Sequence, residues 1–212
     1  MKVFLLIFSW LSTYLPLLLS FFTKKSWKHY MWFYLIFGGL SEVISAILKH
    51  GYHKPMDGVA NVYLIGELIV YSNFLFKILF GSSYKGLITV VIAIWVTFSL
   101  WINFGTFWTS MNMIGIGLNC FIFIFLSLLV YRNMLLKQEF EKLTSNPDFW
   151  FNTGIFIYAS GGCLFFLLLD KVLEEDTDFL ITLWSTFYGV INLLRYTFIG
   201  IGLNRLGRNE RI

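Results

Sequence analysis

Two glutamates and an arginine stand inside long apolar stretches of this sequence. An ionisable group held in hydrocarbon is costly enough to make each one a candidate for ligand binding or proton movement. Glu42 lies six residues from the end of the stretch Tyr30–Leu48, and Glu67 six residues from the start of Asn61–Phe80. At ~1.5 Å per helical residue both sit ~9 Å below the same boundary, so two carboxyls on adjacent helices can share one layer. Gly38, Ser41 and Ser45 form a small-residue strip beside Glu42 that admits a neighbouring backbone. Tyr63 and Tyr71 stand one turn before and after Glu67, where phenols can donate to a carboxylate or a ligand. Two acids in one low-dielectric layer do not both ionise readily, which suits proton coupling or binding of a cation or polar headgroup.

Other polar residues can complete a pocket opening to the outside: Asn119, Tyr158, Ser160, and the stripe Trp184, Tyr188, Asn192 spaced by four. In a chain with 24 Phe, 11 Tyr and 8 Trp, an aromatic at helical spacing is more often packing than site, so this stripe is secondary to the glutamates. Arg195, counted from the outer start of its stretch, lies ~24 Å down and ~15 Å from the carboxyl layer. A direct salt bridge to either glutamate is therefore not expected, and Arg195 is assigned to an inner gate or to lipid phosphate reached by snorkelling. His50, His53 and Asp57 resemble a metal-ligand spacing, but Gly51 and Pro55 interrupt the helix that would align them and no cysteine joins them. Interfacial histidines are the expectation, with no metal and no other cofactor. Cys120 and Cys163 fall at different depths and are read as packing residues. No catalytic or nucleotide-binding fingerprint is present, and the last stretch lacks the lysine a retinal protein would need.

The elements that must position these residues follow from composition. Of 212 residues, 58% are hydrophobic, 20% aromatic and 13% charged, against roughly 25% charged in soluble domains. Such a chain is expected in a membrane. Seven apolar stretches each reach about the length of a span: Val3–Phe22, Tyr30–Leu48, Asn61–Phe80, Leu87–Phe104, Ser110–Tyr131, Phe149–Leu169 and Phe179–Leu203. The first follows Lys2 but lacks a small-x-small cleavage pattern, so it is read as a helix and not a signal peptide. The fourth is the most diluted, by Thr89, Thr97, Ser99 and Asn103. The longest gap, Arg132–Asp148, has 17 residues, leaving no room for a soluble domain. The expectation is an all-α polytopic bundle forming one transmembrane domain over residues 1–212.

Eleven of the 16 Lys and Arg residues fall on one face: Lys24, Lys25, Lys28, Lys77, Lys85, Arg132, Lys137, Lys142, Arg205, Arg208 and Arg211. Four fall on the other: Lys2, Lys49, Lys54 and Lys171. The basic face belongs in the cytoplasm, which puts the amino terminus outside and the carboxyl terminus inside. The acidic connection Asp170–Asp178 falls on the outer side. The net charge of +4 thus reflects topology and anionic headgroups; a nucleic-acid partner is not expected.

Seven spans, an outer amino terminus and this length resemble the three-plus-one-plus-three sugar transporters with PQ-loop repeats, although their Pro-Gln signature is absent and helix 1 carries Leu15-Pro16-Leu17 instead. The segments Asn61–Glu67, Phe149-Trp150-Phe151-Asn152 and Tyr158-Ala159-Ser160-Gly161 are similar to those of a group of short bacterial multi-span proteins with no assigned activity. That likeness implies a bacterial cytoplasmic membrane and helical placement of Glu67, Asn152, Tyr158 and Ser160. The leading expectation is a sensor or transporter of a small polar or amphiphilic ligand that meets Glu42 and Glu67 from outside. One alternative is an intramembrane lysolipid hydrolase using paired acids, although enzymes of that kind usually have eight spans and Asp pairs. The other is an accessory protein that docks a cytosolic signalling or defence partner through Lys24–Lys28, Arg132–Lys142 and Arg205–Arg211.

Overall fold

A computed structural model describes residues 14–23, 29–52, 57–81, 85–102, 105, 113–137, 143–173 and 184–209. Among them the chain is all-helical, with no strand. Helix occurs in each of the seven apolar stretches: α1 at 14–22, α2 Tyr30–Gly51, α3 Asp57–Phe80, α4 Lys85–Ile102, α5 Met113–Lys137, α6 Pro147–Leu173, and α7 Gly189–Asn209, preceded by a single π-helical turn at Trp184–Tyr188. Two segments, α3 and Gly115–Leu136 of α5, are long and apolar enough among the described residues to cross a membrane. His53, the acidic run Glu174–Asp178 and the basic run Lys24–Lys28 lie outside the described residues, as do the side chains of His50 and Trp184.

The helices begin and end on local chemistry. The His29 side chain caps α2, its Nδ1 accepting from the Met31 backbone N–H at 3.3 Å. At the start of α6, Asn146 Oδ1 accepts from the Asp148 N–H at 3.0 Å, and Pro147 holds a first-turn position whose N–H would have no helical partner. Helix α3 stops at Gly81, whose φ of +69° closes the helix with an N–H bond to the Lys77 carbonyl at 2.9 Å.

Contacts run α2 to α3, α3 to α5, α5 to α6, α6 to α7 and α7 back to α2, closing a ring of five helices. The α6–α7 seam is tight because a Cβ at Gly154, Gly161 or Gly202 would press on Arg195 backbone, Ile191 or Phe151 respectively. Helix α1 lies outside the ring, with Leu17 against Gly39 of α2, Leu19 against Gly200 of α7, and the Ser20 carbonyl accepting from Trp32 Nε1 at 2.7 Å. Helix α4 lies outside it on the opposite flank, packed on α3 and joined to α5 where Trp95 Nε1 donates to Asn119 Oδ1 at 2.5 Å. A cavity of 260 Å³ separates it from the ring, lined by Leu68, Ser72 and Phe76 of α3, Ile92 and Trp95 of α4 and Ile122 of α5.

Candidate functional site

Inside the ring the apolar packing is interrupted by a polar cluster. Arg195 of α7 donates through Nη1 to Glu67 Oε1 of α3 at 2.6 Å, with the two side chains 1% and 3% exposed. The same carboxylate oxygen accepts from Tyr34 at 2.8 Å and from Tyr63 at 3.3 Å. Tyr71 donates to the Tyr34 hydroxyl at 2.7 Å, and Tyr34 and Tyr63 hydroxyls meet at 2.5 Å. Arg195 Nη2 donates to the Tyr196 hydroxyl at 2.8 Å, which lies 3.4 Å from the hydroxyl of Tyr63. The guanidinium carbon stands 3.8 Å from the ring centre of Tyr158 on α6 and 4.4 Å from that of Tyr196. One charge pair is thus held by hydroxyls and rings from α2, α3, α6 and α7, in an arrangement that spreads the positive charge over aromatic faces and the negative charge over phenolic donors. The connected hydroxyls, each able to donate and accept, also form a path along which a proton can be relayed to Glu67.

This ion pair overturns the expectation that Arg195 is too deep to reach a glutamate. Depth counted from the ends of apolar runs misplaces Glu67, because helix α3 begins at Asp57, ten residues before it. Counted from that helix start Glu67 lies ~15 Å down, which narrows the gap to Arg195 to ~9 Å, within the combined reach of an arginine and a glutamate side chain. Arg195 is directed inward onto Glu67 and not toward a surface where it could reach lipid phosphate.

The other candidates divide. Tyr63, Tyr71 and Tyr158 join the cluster, and the Tyr188 ring lies 6.4 Å from that of Tyr158, tilted at 58° to it. Asn192 is buried one turn from Arg195, with no partner on its Oδ1 among the described residues. Asn119 is turned away, tied to Trp95, and Ser160 is half-buried. Glu42 does not share a hydrogen-bonded layer with Glu67. It is half-buried on the α2 face that carries Tyr34 and Gly38, and it makes no hydrogen bond or ion pair among the described residues. It still lies within electrostatic range of Arg195. Sequence reasoning missed Tyr34 and Tyr196. The spacing Tyr34, Gly38, Glu42 at successive turns was the available signal for the first, and adjacency to Arg195 for the second. Cys120 and Cys163 are both free thiols.

A second polar group lies at the other end of the ring, where His29 and Asp148 stand just outside the apolar stretches. The His29 ring stacks on Phe151 at 5.2 Å, and Lys77 Nζ lies 5.8 Å over Tyr30. Burial, with a contribution from the Lys77 charge, pushes His29 down to about 4. Burial raises the Asp148 carboxyl, with Lys77 opposing. A neutral imidazole is also what the cap on α2 requires, since Nδ1 must accept.

The chain matches no family model, no curated protein and no solved structure.

Proposed function

We propose that this protein is a multi-pass integral membrane protein of the bacterial cytoplasmic membrane, amino terminus outside and carboxyl terminus inside. In this reading it senses or transports a small polar or amphiphilic ligand, and the Glu67–Arg195 cluster couples occupancy to helix movement. The observation that carries the reading is the buried ion pair itself. Taking two charges out of water costs several kcal/mol per ion, and well-packed apolar residues usually serve stability as well or better. A pair that joins α3 to α7 and gathers phenols from α2 and α6 makes sense as a two-state element: a ligand or proton that competes for either charge releases one helix from another. The basic segments flanking the spans support the orientation.

A hydrolase would need two acids facing one scissile bond, whereas Glu67 is engaged by an arginine and Glu42 lies apart from it. Removing both charges together tests the reading. The double variant Glu67→Gln/Arg195→Met leaves no unpaired buried charge and should insert and fold, yet lose ligand-dependent uptake or signalling in cells by at least about tenfold. A folded double variant with full response would overturn it.

A further inference from the structure

We propose that Glu42, Asn192 and Tyr188 form a binding site for a protonated amine. This deepens the reading above and rests on it, since it names the ligand class of the same ring interior. Three observations converge. First, charge is unbalanced. Among the described residues the polar interior carries Glu42, Glu67 and Arg195, and the guanidinium is engaged through Nη1 by Glu67 and through Nη2 by Tyr196, with only its Nε unpartnered. The carboxylate of Glu42 is left without an ion-pair partner in a half-buried position, so a cation arriving there completes neutrality.

Second, Asn192 is 3% exposed and its Oδ1 has no hydrogen-bond partner among the described residues. A buried amide oxygen left unpaired costs roughly 1–3 kcal/mol, which an N–H donor recovers. Third, helix directions bring these groups to one level. The His29 ring stacks on Phe151, and Phe151 packs at Gly202, while Tyr158 meets both Tyr188 and Arg195. Helix α2 therefore runs with α6 and against α7. Gly38 lies against the Tyr196 hydroxyl, so Glu42, one turn further along α2, comes level with Asn192, one turn earlier on α7. Glu42 is in electrostatic range of both Tyr188 and Tyr196, which flank Asn192 at four residues on either side. A carboxylate, an amide oxygen and tyrosine faces accept from or attract an ammonium; none of them donates a charge to an anion.

The full chain in lipid nanodiscs can be titrated with n-butylammonium chloride, with sodium butyrate and sodium chloride as matched controls, following the thermal unfolding midpoint. Butylammonium should stabilise saturably and butyrate should not. Glu42→Gln should unfold at the wild-type temperature without ligand, because its carboxylate makes no hydrogen bond among the described residues, and should weaken the amine effect at least about tenfold. Asn192→Leu should weaken it several-fold. No stabilisation by butylammonium, equal stabilisation in Glu42→Gln, or the same protection from sodium chloride would each overturn the amine site. Stabilisation by butyrate that disappears in Glu67→Gln/Arg195→Met would overturn it while leaving the proposed function standing. That function falls separately, if the double variant keeps its response.

Discussion

Around Glu67, four helices of the ring each contribute a hydroxyl, a ring or a charge, whereas α4 is joined to α5 through the Trp95–Asn119 hydrogen bond and otherwise rests on α3. The ring is tight enough that small residues mark its seams. The outer helix leaves a 260 Å³ cavity behind it and turns Val90 and Trp101 outward, the last 72% exposed. The difference locates the specificity of this fold. Apolar composition is shared by both regions, so it cannot distinguish them; what distinguishes them is directional bonding and close backbone approach. A helix lying on the ring by apolar contact can shift at little cost, while a change inside the ring is felt by several helices at once.

The contrast can be broken most severely at the charge pair. Arg195→Met alone strands the Glu67 carboxylate in the core and should cost roughly 3–5 kcal/mol of unfolding free energy in detergent or nanodiscs. The seams come next. Gly202→Ala pushes a methyl group into Phe151, whose ring is fixed between His29 and an edge contact with Phe74, and should destabilise by about 1–3 kcal/mol. Gly117 in α5 faces open space, so Gly117→Ala should do the reverse and stabilise by up to about 1 kcal/mol. Equal losses at the two glycines would erase the distinction between seam and surface.

The smallest effect concerns pH. His29 has a folded-state value near 4, below its ordinary 6.5, so the unfolded chain binds the extra proton between those limits. Its contribution to stability is complete above about 6.5 and is lost as pH falls toward 4. Asp148, raised by burial, works in the opposite sense, gaining stability on protonation. Unfolding midpoints at pH 7 and 4.5 should fall in the wild type and fall less in His29→Asn, which keeps a capping side chain; an unchanged slope would contradict the assignment.

Much of the helical layout was legible because apolar runs of about twenty residues have few other structural outcomes. Helix is present even in the fourth stretch, the one most diluted by threonine and serine. Depth was not legible. An apolar run marks where side chains are greasy, whereas a helix starts where its caps and turns allow, and the difference at Asp57 was enough to hide the Glu67–Arg195 pair. The stripe Trp184, Tyr188, Asn192 presupposes an unbroken α-helix, whereas the backbone at Trp184–Tyr188 makes a π-helical turn with more residues per turn. Tyr34 and Tyr196 were hidden by abundance: among 11 tyrosines, spacing alone does not say which hydroxyls meet. Glu67 was found from its chemistry, as the charge that had no cheap reason to be there.

The central claim is that Glu67 and Arg195 act on each other and not on separate partners. A double-mutant cycle of unfolding free energies over wild type, Glu67→Gln, Arg195→Met and the double variant measures that directly. The pair predicts a coupling of at least about 2 kcal/mol, with the double variant more stable than Arg195→Met alone. Additive losses, with coupling within about 0.5 kcal/mol of zero, would contradict it.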